Sequence, residues 1–295
     1  MLASPLTTAA SLSQRQALAA VKPPRQRRHS GVARALSLPV KGPGQPFAQL
    51  DSDEGDDDDD DDDDGLFWPD SSLQLYLDSA DTRSWRRWAD TGLFYGFTTN
   101  PTILKRDKVQ CTPSSLKQLA AEAFSCGAAE LQLQAWGRTA GQLADVGKKL
   151  FDIDDRIVVK VPITLEGVKA AKVLDEEDVP FTLTGIYAPH QVVTALACGA
   201  SYAAPYLGRM NDAGKQGFEA IVKMQDIISL DDSDEGCMRL LVASIRSADE
   251  IANLAAEGCN TFTISPAVAD MLFGEDLTNK AAEAFQQDAE EMGAK

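Results

Sequence analysis

From residue 65 onward the chain repeats one pattern: a short apolar run with β-type composition, then a stretch with helical spacing. The runs fall at 73–77, 93–98, 130–134, 156–161, 180–184, 201–204, 240–243 and 260–264. Between them, Leu116, Leu119, Ala120, Ala123 and Phe124 recur at i, i+3, i+4, i+7 and i+8, the apolar stripe of a helix. Phe218, Ile221, Val222 and Gln225 repeat that spacing less cleanly. Ser247 with Glu250, and Thr139 with Gln142, are spaced as capping boxes, and Gly258 stands where a helix C-cap belongs. A strand followed by a helix, eight times over, implies parallel pairing with helical crossovers. The stretch 65–295 is also about the size of one closed barrel. The predicted fold class is α/β: a single (β/α)8 TIM barrel with an Ala/Glu-rich C-terminal helix at 280–292, preceded by a disordered N-terminal extension. An open doubly wound sheet is the competing architecture. It would more often carry a G-x-G-x-x-G turn after an early strand, and this sequence has none.

Charge divides the 295 residues into three segments. Residues 1–50 hold seven Lys/Arg and no acid, residues 51–64 hold twelve acids and no base, and the remainder holds 21 bases against 33 acids. The first segment is Ser/Ala/Pro-rich and lacks the ~7–15-residue apolar stretch of a secretory signal, so 1–50 reads as an organelle transit peptide. A basic arm that binds something anionic is the other reading. Its Ser/Thr/Pro content points to the chloroplast stroma, with the mitochondrion as the alternative. The nine consecutive aspartates Asp56 to Asp64 repel one another, so 51–72 reads as an acidic disordered linker, leaving 73–295 for the barrel and its last helix. A bare Asp run does not supply the fixed oxygen ligands of a calcium site.

The net charge of −17 argues against a nucleic-acid-binding surface. No apolar run reaches the ~18 residues of a membrane span. Five cysteines without a C-x-x-C pair, and two histidines, argue against a zinc scaffold or His-cluster metal enzyme. No metal and no cofactor are expected, and the odd number of cysteines gives no pairing scheme.

Barrel chemistry sits at the C-terminal ends of the strands, above interiors filled by apolar layers. The ends of runs one to seven carry Asp78, Thr98-Thr99-Asn100, Gln134, Lys160, Thr184, Tyr206, and Ser244 with Arg246. Lys160 stands within Ile157-Val158-Val159-Lys160-Val161-Pro162, apolar on both sides. A strand-edge lysine snorkelling to water is one reading. The other is a nucleophilic amine. With a pKa of ~10.4, a lysine in water is neutral in only about one molecule in 2,500 at pH 7. Lowering that pKa by ~3 units takes about 4 kcal/mol, which burial among valines can supply. A desolvated lysine at a barrel mouth is suited to attack a ketone and form a Schiff base.

Five segments then stand together: Leu75-Tyr76-Leu77-Asp78, Phe97-Thr98-Thr99-Asn100-Pro101-Thr102, Val158-Val159-Lys160-Val161-Pro162-Ile163-Thr164, Ala204-Pro205-Tyr206-Leu207-Gly208-Arg209 and Val242-Ala243-Ser244-Ile245-Arg246. In order and spacing they resemble the transaldolase family, over about residues 73 to 290, and the short length resembles its compact branch with fructose-6-phosphate aldolase. The resemblance implies Lys160 as the Schiff-base lysine on C2 of a ketose. It implies that Asp78 accepts the proton of the C4 hydroxyl or positions that hydroxyl. Thr98 and Asn100 would hold the dihydroxyacetone moiety, and Arg209, Ser244 and Arg246 would bind phosphate. Surface salt bridging is the other reading of the two arginines.

Two positions discriminate within the family. Transaldolases typically carry a glutamate and a phenylalanine where this chain has Gln134 and Tyr206, the pairing of the aldolase branch. A tyrosine hydroxyl can protonate an enamine. Thr184 would share the catalytic water with Gln134. Gly208-Arg209 and Ile245-Arg246 look more like transaldolase. The reading leans to an aldolase that cleaves fructose 6-phosphate to dihydroxyacetone and glyceraldehyde 3-phosphate. The alternatives are a transaldolase of the pentose phosphate pathway, passing the three-carbon unit between sedoheptulose 7-phosphate, glyceraldehyde 3-phosphate, erythrose 4-phosphate and fructose 6-phosphate, and an inactive sugar-phosphate-binding barrel. The expected partners are small-molecule sugar phosphates and further copies of the same chain, since C-terminal tails in this family can pack on a neighbouring subunit.

Overall fold

The computed structural model describes residues 73–230 and 238–294; the expected transit peptide, the acidic linker and Cys237 lie outside them. Eight parallel strands close in sequence order: β1 (Gln74–Asp78), β2 (Gly96–Thr98), β3 (Glu130–Gln134), β4 (Ile157–Pro162), β5 (Phe181–Ile186), β6 (Tyr202–Pro205), β7 (Arg239–Val242) and β8 (Thr261–Ile264). β8 pairs with β1 through Leu75 opposite Phe262 and Leu77 opposite Ile264, so the sheet is a barrel and the open-sheet alternative is ruled out.

Eleven helices surround it among the described residues: α1 (Thr82–Ala89), α2 (Pro101–Arg106), α3 (Pro113–Ser125), α4 (Ala140–Phe151), α5 (Leu165–Glu176), α6 (Pro189–Ala197), α7 (Leu207–Asp212), α8 (Gly217–Ser229), α9 (Ala248–Ala256), α10 (Pro266–Met271) and α11 (Asp276–Glu291). The helices start where short polar side chains can accept from orphan N–H groups. Thr112, Thr139, Thr164, Ser247 and Ser265 each cap the helix that follows. In both expected capping boxes the return bond lands one residue early: Glu250 accepts from Arg246 N at 2.7 Å and Gln142 from Arg138 N at 2.8 Å. The stripe on α3 is buried as spaced, through Leu116, Leu119, Ala120 and Ala123. On α8 the buried face is instead Ile221, Met224 and Ile228.

Alternation along the strands sorts side chains into two environments. Leu77, Leu133, Val159, Val161, Leu183 and Phe262 point out, into the main core between barrel and helices. There Trp85 stacks on Phe97 at 4.5 Å and donates its indole N–H to the Ser79 carbonyl. Fully burying a side chain of this size is worth about 1.5–3 kcal/mol, so this shell carries most of the stability.

The inward set departs from the expected apolar layers. A small cluster of Tyr76, Val158, Tyr202, Ala204 and Leu241 is present. Around it, however, stand buried Thr98, Glu130, Gln132, Thr182, Thr261 and Thr263. The valines beside Lys160 are a second departure: Val159 and Val161 face the helices, and its apolar neighbour on the inner face is Val158.

Candidate active site

The strand ends define a pocket of about 190 Å³ at the C-terminal mouth of the barrel. Asp78, Asn100, Arg106, Lys160, Tyr206, Arg209 and Ser244 all line it. Lys160 is only 2 % exposed, so its ammonium form has lost most of its water. Burial drives its pKa below the ordinary lysine value, and the field of Asp78 opposes that shift in part. Snorkelling to bulk water is therefore not what this lysine does.

Asp78 ends β1 and is half-buried. Burial pushes its carboxyl up, while Lys160, the Thr98 hydroxyl, Arg106 and Arg209 pull it back. Thr98 does not line the pocket. Its Oγ1 donates to Asp78 Oδ1 at 2.6 Å and lies 2.5 Å from Thr263 Oγ1 on β8. With its one proton given to the carboxylate, Thr98 accepts from Thr263, and the relay fixes the carboxylate. Asn100 caps α2, its Oδ1 accepting from Thr102 N at 3.0 Å and Ile103 N at 3.1 Å. That leaves its amide N–H groups for the pocket it lines.

On the far side, Tyr206 precedes α7 and shares a 2.8 Å hydrogen bond with Thr184 at the head of β5. Its ring meets Tyr187 edge-on, and the Arg209 guanidinium lies 4.9 Å from its centroid. Burial raises the Tyr206 pKa, so the phenol keeps its proton at neutral pH. Gln134 ends β3, half-buried and in register with Lys160 on the neighbouring strand. Neither Gln134 nor Thr184 reaches the pocket wall itself.

Ser244 holds a left-handed backbone, φ 60°, a conformation that costs roughly 1–3 kcal/mol in a residue other than glycine. Its carbonyl accepts from Gly208 N at 2.9 Å, which seats α7 against the end of β7. Only glycine fits there, because a Cβ would lie 2.6 Å from both the Ser244 carbonyl and Arg246 Nε. Arg246 thus crosses over Gly208, and its guanidinium engages both carboxylate oxygens of exposed Asp212. It does not line the pocket.

The sequence reading passed over Arg106 and Thr263. Arg106 follows Thr102 by four residues on α2, on the face turned to the mouth. Among the described residues, no group of three or more His, Cys, Asp or Glu is placed to hold a metal ion, and no helix is long and apolar enough to cross a membrane.

A family model described as "Transaldolase/Fructose-6-phosphate aldolase" matches residues 75–295. A protein of Nitrosopumilus maritimus named "Probable transaldolase" is 31 % identical over 75 % of this chain and 97 % of its own length. Proteins of the same name from Caulobacter vibrioides and Parvibaculum lavamentivorans are each 32 % identical, over 73 % and 76 % of this chain and 96 % and 99 % of their own lengths.

Proposed function

The chain belongs to the transaldolase/fructose-6-phosphate aldolase family, and on that premise we propose that it is a Schiff-base aldolase acting on fructose 6-phosphate. The observation that carries this reading is a lysine amine, 2 % exposed, opening on a pocket that also holds a carboxylate and an arginine. The neutral Lys160 amine adds to the C2 carbonyl, and loss of water leaves an iminium ion. Asp78 takes the proton of the C4 hydroxyl as the C3–C4 bond breaks. The bonding electrons pass to the iminium nitrogen, giving an enamine and releasing glyceraldehyde 3-phosphate. Tyr206 then supplies a proton to C3, and a water held by Gln134 and Thr184 hydrolyses the imine to free dihydroxyacetone and Lys160. Asn100 holds the dihydroxyacetone unit, Thr98 acts on it through Asp78, and Arg209 with Ser244 takes the phosphate. Arg246 joins them on release from Asp212.

Transfer to an aldehyde acceptor, as in a transaldolase, is the second reading, favoured by Gly208-Arg209 and by the names of the relatives. It uses the same enamine and leaves it unprotonated. Borohydride with fructose 6-phosphate is expected to fix a three-carbon adduct on Lys160; no adduct in protein that turns substrate over removes the Schiff base. Free dihydroxyacetone without acceptor supports the aldolase, and a three-carbon unit recovered only within sedoheptulose 7-phosphate, with erythrose 4-phosphate present, supports transfer. Tyr206→Phe is expected to depress cleavage more than transfer.

The acid-free 1–50 segment is proposed to direct the chain to the chloroplast, checked by the destination of a fluorescent fusion. A homo-oligomer belongs to the same reading: α11 has no buried residue and leaves Leu277 and Phe285 in the open.

A further inference from the structure

Of the three groups given to phosphate above, Arg209 and Ser244 line the pocket and Arg246 does not. Arg246 donates from Nη1 to Asp212 Oδ1 at 2.8 Å and from Nη2 to Asp212 Oδ2. That is the fork by which an arginine grips two oxygens of a phosphate. Asp212 ends α7, three residues after Arg209. The helix that brings one arginine to the pocket therefore also carries the carboxylate that holds the other outside it. The root of Arg246 is fixed: its backbone N–H donates to Glu250 Oε2 at 2.7 Å, and Ile245 before it is buried. Its far end is open, with the two side chains of the pair 54 % and 58 % exposed. An ion pair so open to water holds weakly and can exchange partners. The Arg246 side chain passes directly over Gly208, where a Cβ would lie 2.6 Å from its Nε, so its path runs alongside Ser244 and the start of α7. The loop after the seventh strand is also where barrels of this architecture frequently seat a phosphate.

We propose that Asp212 is a latch on the phosphate site: its carboxylate occupies Arg246 in place of phosphate, and the phosphate of an incoming sugar displaces it. The proposal deepens the sugar-phosphate reading and rests on it. Exchange of one anion for another makes Asp212 a determinant of specificity. It lowers the affinity for every phosphorylated ligand and leaves unphosphorylated ones untouched. When glyceraldehyde 3-phosphate departs, the carboxylate takes the arginine back, and no covalent bond is made or broken.

The test titrates the full chain with inorganic phosphate by calorimetry, and measures KM for fructose 6-phosphate and borohydride trapping by dihydroxyacetone in parallel. In Asp212→Asn phosphate should bind about 2- to 5-fold more tightly, the range an exposed ion pair commands, and KM for fructose 6-phosphate should fall by a similar factor. The dihydroxyacetone concentration for half-maximal trapping should not change, because that sugar carries no phosphate. Arg246→Gln should weaken phosphate binding, and Asp212→Asn added to it should then have no effect. Unchanged, weaker or undetectable phosphate binding in Asp212→Asn overturns the latch. So does a gain that persists in the double variant, since it would come from the lost negative charge alone. Calorimetry needs no Schiff base: absence of trapping in the intact protein overturns that reading, while the phosphate titrations still decide the latch.

Discussion

The two ends of the barrel interior are equally rich in buried polar groups, and they treat them in opposite ways. At the N-terminal end, Tyr76 and Tyr202 each donate to Glu130 at 3.0 Å, Gln132 donates to Glu130 at 2.9 Å, and Thr182 donates to Gln132 at 2.9 Å. Each of these polar groups finds a partner within the network. At the C-terminal end, Lys160, Asp78, Asn100 and Tyr206 keep donors or acceptors turned to a pocket. Burial shifts groups at both ends: Glu130 is pushed up as Asp78 is, and Tyr76 as Tyr206 is. A perturbed pKa therefore does not distinguish structure from chemistry in this molecule. Open hydrogen-bonding capacity beside a cavity does.

Substitutions at three positions strain that contrast, in falling order of effect on turnover. Lys160→Met should cost on the order of 10⁴-fold or more in kcat, as loss of a nucleophile does, and abolish borohydride trapping. It should also raise stability at neutral pH. Burial lowers the folded-state pKa of Lys160, so between that value and 10.5 the unfolded chain binds more protons, and stability climbs with pH across that window. The methionine variant should lack this slope in denaturant titrations, and an equal slope in both proteins would mean the lysine is not desolvated. Asp78→Asn should lower kcat about 10²–10⁴-fold while the adduct on Lys160 still forms, because only the proton acceptor is gone. Loss of the adduct as well would make Asp78 part of imine formation.

Glu130→Ala should leave turnover per folded molecule within about threefold, yet destabilise by about 2 kcal/mol or more, stranding an amide and one of two phenols that lie 3.0 Å apart, at ~1–3 kcal/mol each. Its pH signature has the opposite sign to that of the lysine. The raised folded-state pKa of Glu130 means the folded chain binds more protons above 4.5, so this contribution is lost as pH rises through the folded pKa. Glu130→Gln should flatten that fall. A large loss of kcat in folded Glu130→Ala would dissolve the division between the two ends.

All eight strands were legible as apolar runs, because an outward-facing half of each strand must be apolar to meet the helices, whatever the inner half does. The inner half was not. Glu130-Leu131-Gln132-Leu133-Gln134 alternates in plain view, but nothing local says that its polar residues meet Tyr76 and Tyr202 across the barrel. Thr263 was missed for the same reason: its partner Thr98 lies 165 residues away. Lys160 was legible because it interrupts an apolar strand. Arg106 was not, because α2 is too short to display a period. Arg246 illustrates the converse, a residue placed by motif whose side chain is engaged by an aspartate next to the site.

The bond from Thr263 to Thr98 also sets when the candidate site can come into being. A polypeptide leaving the ribosome displays its lysine ahead of the 135 residues that follow it in the sequence. The aspartate's support is finished only when the last strand docks beside the first and supplies its threonine. A nascent or prematurely stopped product therefore exposes an amine with an unsteadied base in a mouth missing one wall. Completion of the site arrives with the last strand synthesised rather than with the strand that bears Lys160.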